Sequence, residues 1–131
     1  MDDLVQWLTA QLDVEDRVAR AAAEESHPEW SPGDKNLGSQ VSTAEYGDPV
    51  VVGPWDYLDW DVRQHIAAHD PARVLREIDA KRRVMKRHHD FQGWCAGCGN
   101  DLTNQINDCP ELRDLASTYA DRPGFREEWR P

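Results

Sequence analysis

Long apolar runs are missing from this chain. No stretch reaches the roughly 20 consecutive apolar residues that a membrane-spanning helix needs, and the mean hydropathy is −0.81. The amino terminus, Met1-Asp2-Asp3-Leu4, has neither the basic segment nor the apolar segment of a secretory leader, so the expected location is the cytoplasm, with no membrane association. Cysteine is scarce. An odd count of three without an export signal fits reduced thiols better than a disulfide framework. Glycine never forms a phosphate-cradling loop, and there is no G-x-S-x-G elbow. The acid pairs Glu24-Glu25 and Glu127-Glu128 sit in polar sequence, where carboxylates are ordinarily just solvated. Catalysis is therefore not expected.

Positive charge is also short. Fifteen Lys and Arg stand against 25 Asp and Glu, for a net charge of −10, which opposes general binding to nucleic acid or anionic membranes. The imbalance is uneven. Residues 71–90 carry seven bases and three acids, while each flanking segment is acidic. The basic run Lys81-Arg82-Arg83-Val84-Met85-Lys86-Arg87-His88-His89 lacks interleaved aromatics, and the economical account of it is intramolecular, facing the acidic N-terminal helix. The other readings are an acidic protein partner and a nucleic-acid regulator working through helix 73–89. A third reading of the whole chain is an acidic mimic of nucleic acid.

What is present suits one domain of 131 residues. A globule of that size buries roughly two-thirds of its unfolded surface, yet only 39% of residues are apolar, so the core must be modest. Residues 3–25 read as an amphipathic helix, capped by Asp2 or Asp3, with Leu4, Trp7, Leu8, Leu12, Val18, Ala19 and Ala22 on one arc. Residues 26–58 are punctuated by proline and glycine. Within them, Gly38 to Tyr46 and Pro49 to Gly53 predict a β-hairpin turning at Gly47-Asp48. Trp55, Tyr57, Leu58 and Trp60 form an aromatic cluster, expected in the core or at a seam, or as a docking patch of Trp55, Tyr57 and Trp60 for a protein partner. A short helix over 58–69 stops at Asp70-Pro71, an N-cap and first-turn proline that open a helix to about residue 89. Cys109-Pro110 opens the last helix, with Leu112, Leu115, Ala116 and Tyr119 at helical spacing. The tail, with Phe125 and Trp129 one turn apart, is expected to fold back. The expected fold is α+β and mostly helical: four helices, a short hairpin and a zinc-stapled C-terminal half. Its segments are 1–25, 26–58, 59–90 and 91–131.

The stapling rests on one constellation, His88, His89, Cys95, Cys98 and Cys109, spaced H-H-x5-C-x2-C-x10-C. Thiolate and imidazole suit Zn2+, and four protein ligands with no open position make a structural site. The small residues of Cys95-Ala96-Gly97-Cys98 permit a tight knuckle. Cys109, at a helix start, gains from the helix dipole. The fourth ligand is His88 or His89: a helical wheel turns His89 inward, but helix ends fray by one or two residues. A redox Cys95–Cys98 pair lacks the strand-to-helix context of thioredoxin-like motifs. His65 and His69, at i, i+4, have no metalloprotease motif around them and read as polar histidines.

Much of the chain resembles a known family. The stretch from Asp70 through Arg83 (DPARVLREIDAKRR) is similar to the signature of small uncharacterised proteins of actinobacteria and their phages. Further matches are Leu4 through Asp16, the Cys-x-x-Cys knuckle, Cys109 through Ala116 and Tyr119 through Trp129, leaving residues 26–60 individual. The resemblance implies a domain of unknown function, without activity or substrate. It also implies a histidine at the position of His88, which favours His88 as ligand. Some relatives lack part of the cysteine set, which implies that the metal is not essential throughout the family. A phage accessory or regulatory role in host cytoplasm follows from the same resemblance.

Overall fold

The computed structural model describes residues 3–99 and 104–131, so Asp2, one of the two expected caps, lies outside the described residues. The fold is α+β and mostly helical. Its helices are α1 (Asp3–Glu25), α2 (Trp60–Ala68), α3 (Pro71–Arg87) and α4 (Pro110–Ser117), and its strands are β1 (Trp30–Ser31), β2 (Gln40–Thr43), β3 (Pro49–Val52), β4 (Asp90–Phe91) and β5 (Trp94–Cys95). Two compact units divide the chain: residues 1–14 with 78–131, and residues 15–77.

In the first unit, Leu4, Leu8 and Leu12 recur along one face of α1 and are fully buried, as are Ile78, Ile106, Leu112, Ala116 and Trp129. Each large aliphatic side chain so buried stabilises the fold by about 1.5–3 kcal/mol. The tail folds back as expected. Trp7 packs on Phe125 and Trp129 at ring-centroid distances of 5.7 and 5.4 Å, and its indole Nε1 donates to the Pro123 carbonyl at 3.0 Å. Asp3 lies in the first turn of α1, and its carboxylate pairs with Arg126 at 3.1 Å.

In the second unit the hairpin forms, β2 against β3, with Val41 opposite Val51 and a register shift between Val41 and Ser42. The shift falls where Ser42 meets Pro49, whose missing N–H cannot extend the ladder. A short strand that the sequence did not announce, β1, pairs with β2 on its other edge. Asp70 holds it there: one carboxylate oxygen caps α3 through the Arg73 amide at 2.9 Å, and the other accepts the Trp30 amide at 3.1 Å. Val18, expected on the buried arc of α1, is 60% exposed. The inward positions in this half of the helix are taken by the smaller Ala19 and Ala22.

Arg63 is a buried cation that composition and periodicity gave no reason to single out. It is 1% exposed. Its guanidinium donates to the carbonyls of Leu58, Pro32, Asp34 and Lys35 at 2.8–3.3 Å and lies 5.2 Å over the Trp60 ring. Five fixed donors in a planar fork thus anchor a loop that has no regular secondary structure of its own.

Candidate metal centre

The chain reverses direction just after α3. β4 and β5 pair antiparallel, Asp90 opposite Cys95 and Phe91 opposite Trp94. Gln92 and Gly93 turn the corner, both at positive φ, 52° and 88°. Two successive left-handed residues fit the right-handed twist of a hairpin, and glycine at the second makes the turn inexpensive. The Asp90 carboxylate accepts the Gly93 amide at 2.8 Å and closes the loop.

This hairpin delivers Cys95, wholly buried, to the end of α3. The Ala96 amide donates to the His89 carbonyl at 3.0 Å, fixing the knuckle against the helix terminus. Gly97 then passes so close that a Cβ there would lie 2.5 Å from the Arg87 carbonyl oxygen and 2.8 Å from His88 Nδ1. Only glycine fits that passage. Cys98 follows, half-buried, and Cys109 arrives as the N-cap of α4, wholly buried.

Four donor atoms converge. His88 Nδ1 lies 3.4 Å from Cys95 Sγ, 3.7 Å from Cys98 Sγ and 3.4 Å from Cys109 Sγ, and the Cys98 and Cys109 sulfurs are 3.4 Å apart. All four lie within 4.8 Å of one another, and among the described residues they are the one such group of three or more potential ligands. Every cysteine is a free thiol. A cluster of three thiols and one imidazole could hold a metal ion.

His89 does not join it. Its Nδ1 donates to the Lys86 carbonyl at 3.0 Å, and the side chain is exposed. The wheel that turned His89 inward fails because α3 ends at Arg87, two residues short of the expected end. His65 and His69 stack at 4.5 Å, with His69 Nδ1 donating to the His65 carbonyl, and no third ligand joins them among the described residues.

The electrostatics of the thiols are set by burial and opposed by backbone amides. Desolvation pushes Cys109 up to about 12, while the Leu112 amide, three residues into the helix, favours its thiolate. Burial likewise raises Cys95, with the Gly97 amide acting in the opposite sense. Thiols held protonated at neutral pH are weak nucleophiles; a cation in their midst supplies the charge that thiolates need.

The other sequence-singled residues lie elsewhere. Trp55 is 98% exposed and Tyr57 is exposed, so neither packs in a core; Trp60 is half-buried against Arg63. The basic run is only partly neutralised internally. Arg82 pairs with Asp13 of α1 at 3.0 Å and Lys81 donates to the Tyr119 hydroxyl at 2.9 Å, while Arg83, Lys86 and Arg87 are exposed with no ionic partner among the described residues. No helix among the described residues is long and apolar enough to cross a membrane.

No curated protein and no solved structure matches the chain. A family model matches residues 1–131, end to end, and by it the chain belongs to a family of unknown function, DUF6221.

Proposed function

We propose that this protein is a zinc-stapled, non-catalytic interaction module that docks on a positively charged protein partner. The zinc reading rests on the donor set and its spacing. A tetrahedral Zn2+ with Zn–S near 2.3 Å and Zn–N near 2.0–2.1 Å implies S–N edges of about 3.5 Å and S–S edges of about 3.8 Å. The observed separations of 3.4–3.7 Å to His88 Nδ1 suit that ion with little adjustment. Four protein ligands leave no position for water, which supports a structural rather than a catalytic role. Bound there, the ion would tie the end of α3, the β4–β5 knuckle and the start of α4 together.

The interaction reading is carried by Trp55. An indole that is 98% exposed gives its own fold almost no burial, and tryptophan is enriched among the anchors of protein interfaces. Exposed Tyr57 and half-buried Trp60 follow it closely in the chain. From Ala44 to Val62 the chain carries five carboxylates, Glu45, Asp48, Asp56, Asp59 and Asp61, and no Lys or Arg. All five are exposed, and that charge favours a basic partner surface. A regulatory or phage accessory role in host cytoplasm is consistent with such a module.

Two measurements test these readings. Elemental analysis of protein purified without chelators should give about one equivalent of zinc, and a value well below that rejects the metal. Affinity capture from host lysate, with and without nuclease, should recover a protein partner that is lost with Trp55→Ala and Tyr57→Ala. Retention of every captured partner by the double variant rejects the docking surface.

A further inference from the structure

We propose that the cavity beside Trp94 binds a nucleobase carrying phosphate, as displayed by a single-stranded nucleic acid. The cavity has a volume of about 270 Å3 and is lined by Gln92, Gly93, Trp94, Gln105, Ile106 and Asn107. That is below the roughly 300–1,000 Å3 of pockets that enclose a drug-sized ligand, so it suits one ring system. Among the described residues its lining includes the Trp94 indole and three amide residues, Gln92, Gln105 and Asn107, with no carboxylate and no cation. The amides of Gln92 and Gln105 make no hydrogen bond among the described residues. Asn107 accepts the Leu4 amide at 3.2 Å through Oδ1. A planar platform beside paired donors and acceptors is what an unstacked base requires, since each base presents a π-face and an edge of both polarities.

The hairpin supplies a second ring. Phe91 lies directly opposite Trp94, so the two side chains share one face of the ribbon, while the next residue, Cys95, turns to the metal cluster. Both aromatics are exposed, at 49% and 37%. The platform is also pre-organised. The Gly93 carbonyl accepts the Ile106 amide at 2.9 Å, the Asn104 carbonyl accepts the Cys95 amide at 2.9 Å, and Cys95 is held at the cluster.

Charge then selects the ligand class. Sugars also stack on indoles and bond to amides, but a neutral sugar needs no cations. The last turns of α3, which lead directly into β4, expose Arg83, Lys86 and Arg87 without ionic partners among the described residues. Residues 81–89 hold five Lys and Arg and no acid. Of the acids close by in the chain, Asp108 pairs with Arg113, Asp90 accepts the Gly93 amide, and Asp101 lies outside the described residues. The basic run lacks aromatics in sequence, and the hairpin provides them in space. The residues of the unit that holds the cavity, 1–14 and 78–131, carry twelve acids and nine bases, a weaker negative balance than the thirteen and six of residues 15–77.

The test uses metal-loaded full-length protein and fluorescence anisotropy of short labelled single strands, as DNA and as RNA, with mononucleotides, a neutral oligosaccharide and duplex DNA as competitors. Single strands should bind in a saturable, salt-weakened manner. Trp94→Ala should weaken binding roughly ten-fold or more, Gln105→Ala severalfold, and Lys86→Gln with Arg87→Gln should weaken every sequence and flatten the salt dependence. Trp55→Ala should change nothing, which separates this site from the protein-docking surface. If Trp94→Ala loses its metal, Gln92→Ala and Gln105→Ala become the deciding variants. Competition by mononucleotides as strong as by the strand would uphold the base site and make the free nucleotide its source. Absence of binding at low salt, binding indifferent to the cavity variants, or displacement by the sugar and not by nucleotides overturns the proposal.

Discussion

His88 Nδ1 stands 3.4 Å from Cys109 Sγ, although 21 positions separate the two residues in the chain. One closes a helix and the other opens one, so a metal bridging them joins two helix ends. His88→Ala or Cys109→Ser is expected to abolish stoichiometric metal binding, and His89→Ala to leave it intact. Metal a thousandfold above its dissociation constant stabilises the folded state by about 4 kcal/mol. Thermal melts with and without chelator should therefore diverge for the parent and for His89→Ala, and coincide for the other two variants.

The passage at Gly97 offers a subtler perturbation. An added methyl meets the Arg87 carbonyl and His88 Nδ1 at 2.5 and 2.8 Å, and overpacking of this kind costs about 1–3 kcal/mol. Gly97→Ala should keep all four ligands yet bind metal at least tenfold more weakly, measured by competition with a chromophoric chelator. Gly93 stands in open space at φ 88°, so Gly93→Ala should strain the turn without crowding the donors and lower metal affinity less.

Without metal, burial raises Cys109 from 9.0 to about 12 and lifts Cys95 above 9.0. The fold thus favours both protonated thiols. Their contribution to stability is complete below pH 9.0 and is lost as pH climbs toward about 12. Reduced, chelated protein should accordingly unfold at lower urea as pH passes 9.0. Metal reverses the dependence, because the ion needs thiolates: uptake expels protons at neutral pH and affinity weakens as pH falls. Calorimetry in buffers of different ionisation enthalpy measures that release. A release near zero would exclude the thiols as ligands.

Arg63 makes a prediction about the other unit. Arg63→Met strands the carbonyls of Pro32, Asp34, Lys35 and Leu58. Buried acceptors left unsatisfied cost about 1–3 kcal/mol each before water enters, so a loss of about 2–4 kcal/mol is expected in denaturant unfolding. Arg63→Lys should recover little of it, since a single ammonium cannot span four acceptors. Metal content, measured in parallel, should not change.

The tail is held by Trp7 through two aromatic contacts and one hydrogen bond. Trp7→Ala, at a half-buried position, should cost less than the ~3–5 kcal/mol of a fully buried aromatic and expose the segment after Ala120 to protease. Trp7→Phe should keep much of the packing and lose chiefly the bond to Pro123. Limited proteolysis of the two variants distinguishes the contributions.

Local chemistry made the helices readable in advance. Asp70-Pro71 and Cys109-Pro110 announce helix starts because a fixed proline φ and a capping residue act within one turn. The β-branched run Val50-Val51-Val52 beside the Gly47-Asp48 turn marked the hairpin for the same reason. The metal ligands were also readable as residue types, because thiol and imidazole spacing is a sequence property. Four things needed the tertiary structure. Which histidine faces the sulfurs depends on where α3 stops, and that is fixed by the knuckle packing through Gly97. Whether Trp55 is core or surface depends on what the rest of the unit leaves room for. Arg63 looks like any surface cation until the carbonyls of a distant loop close around it. The cavity at Trp94 joins residues 92–94 with 105–107, and no local rule relates them. The sequence by itself determined the elements and the donor chemistry, since propensity, capping and ligand softness act over a few bonds. Tertiary packing alone decided which side chains meet and which stay exposed, since that depends on contacts between segments far apart in the chain.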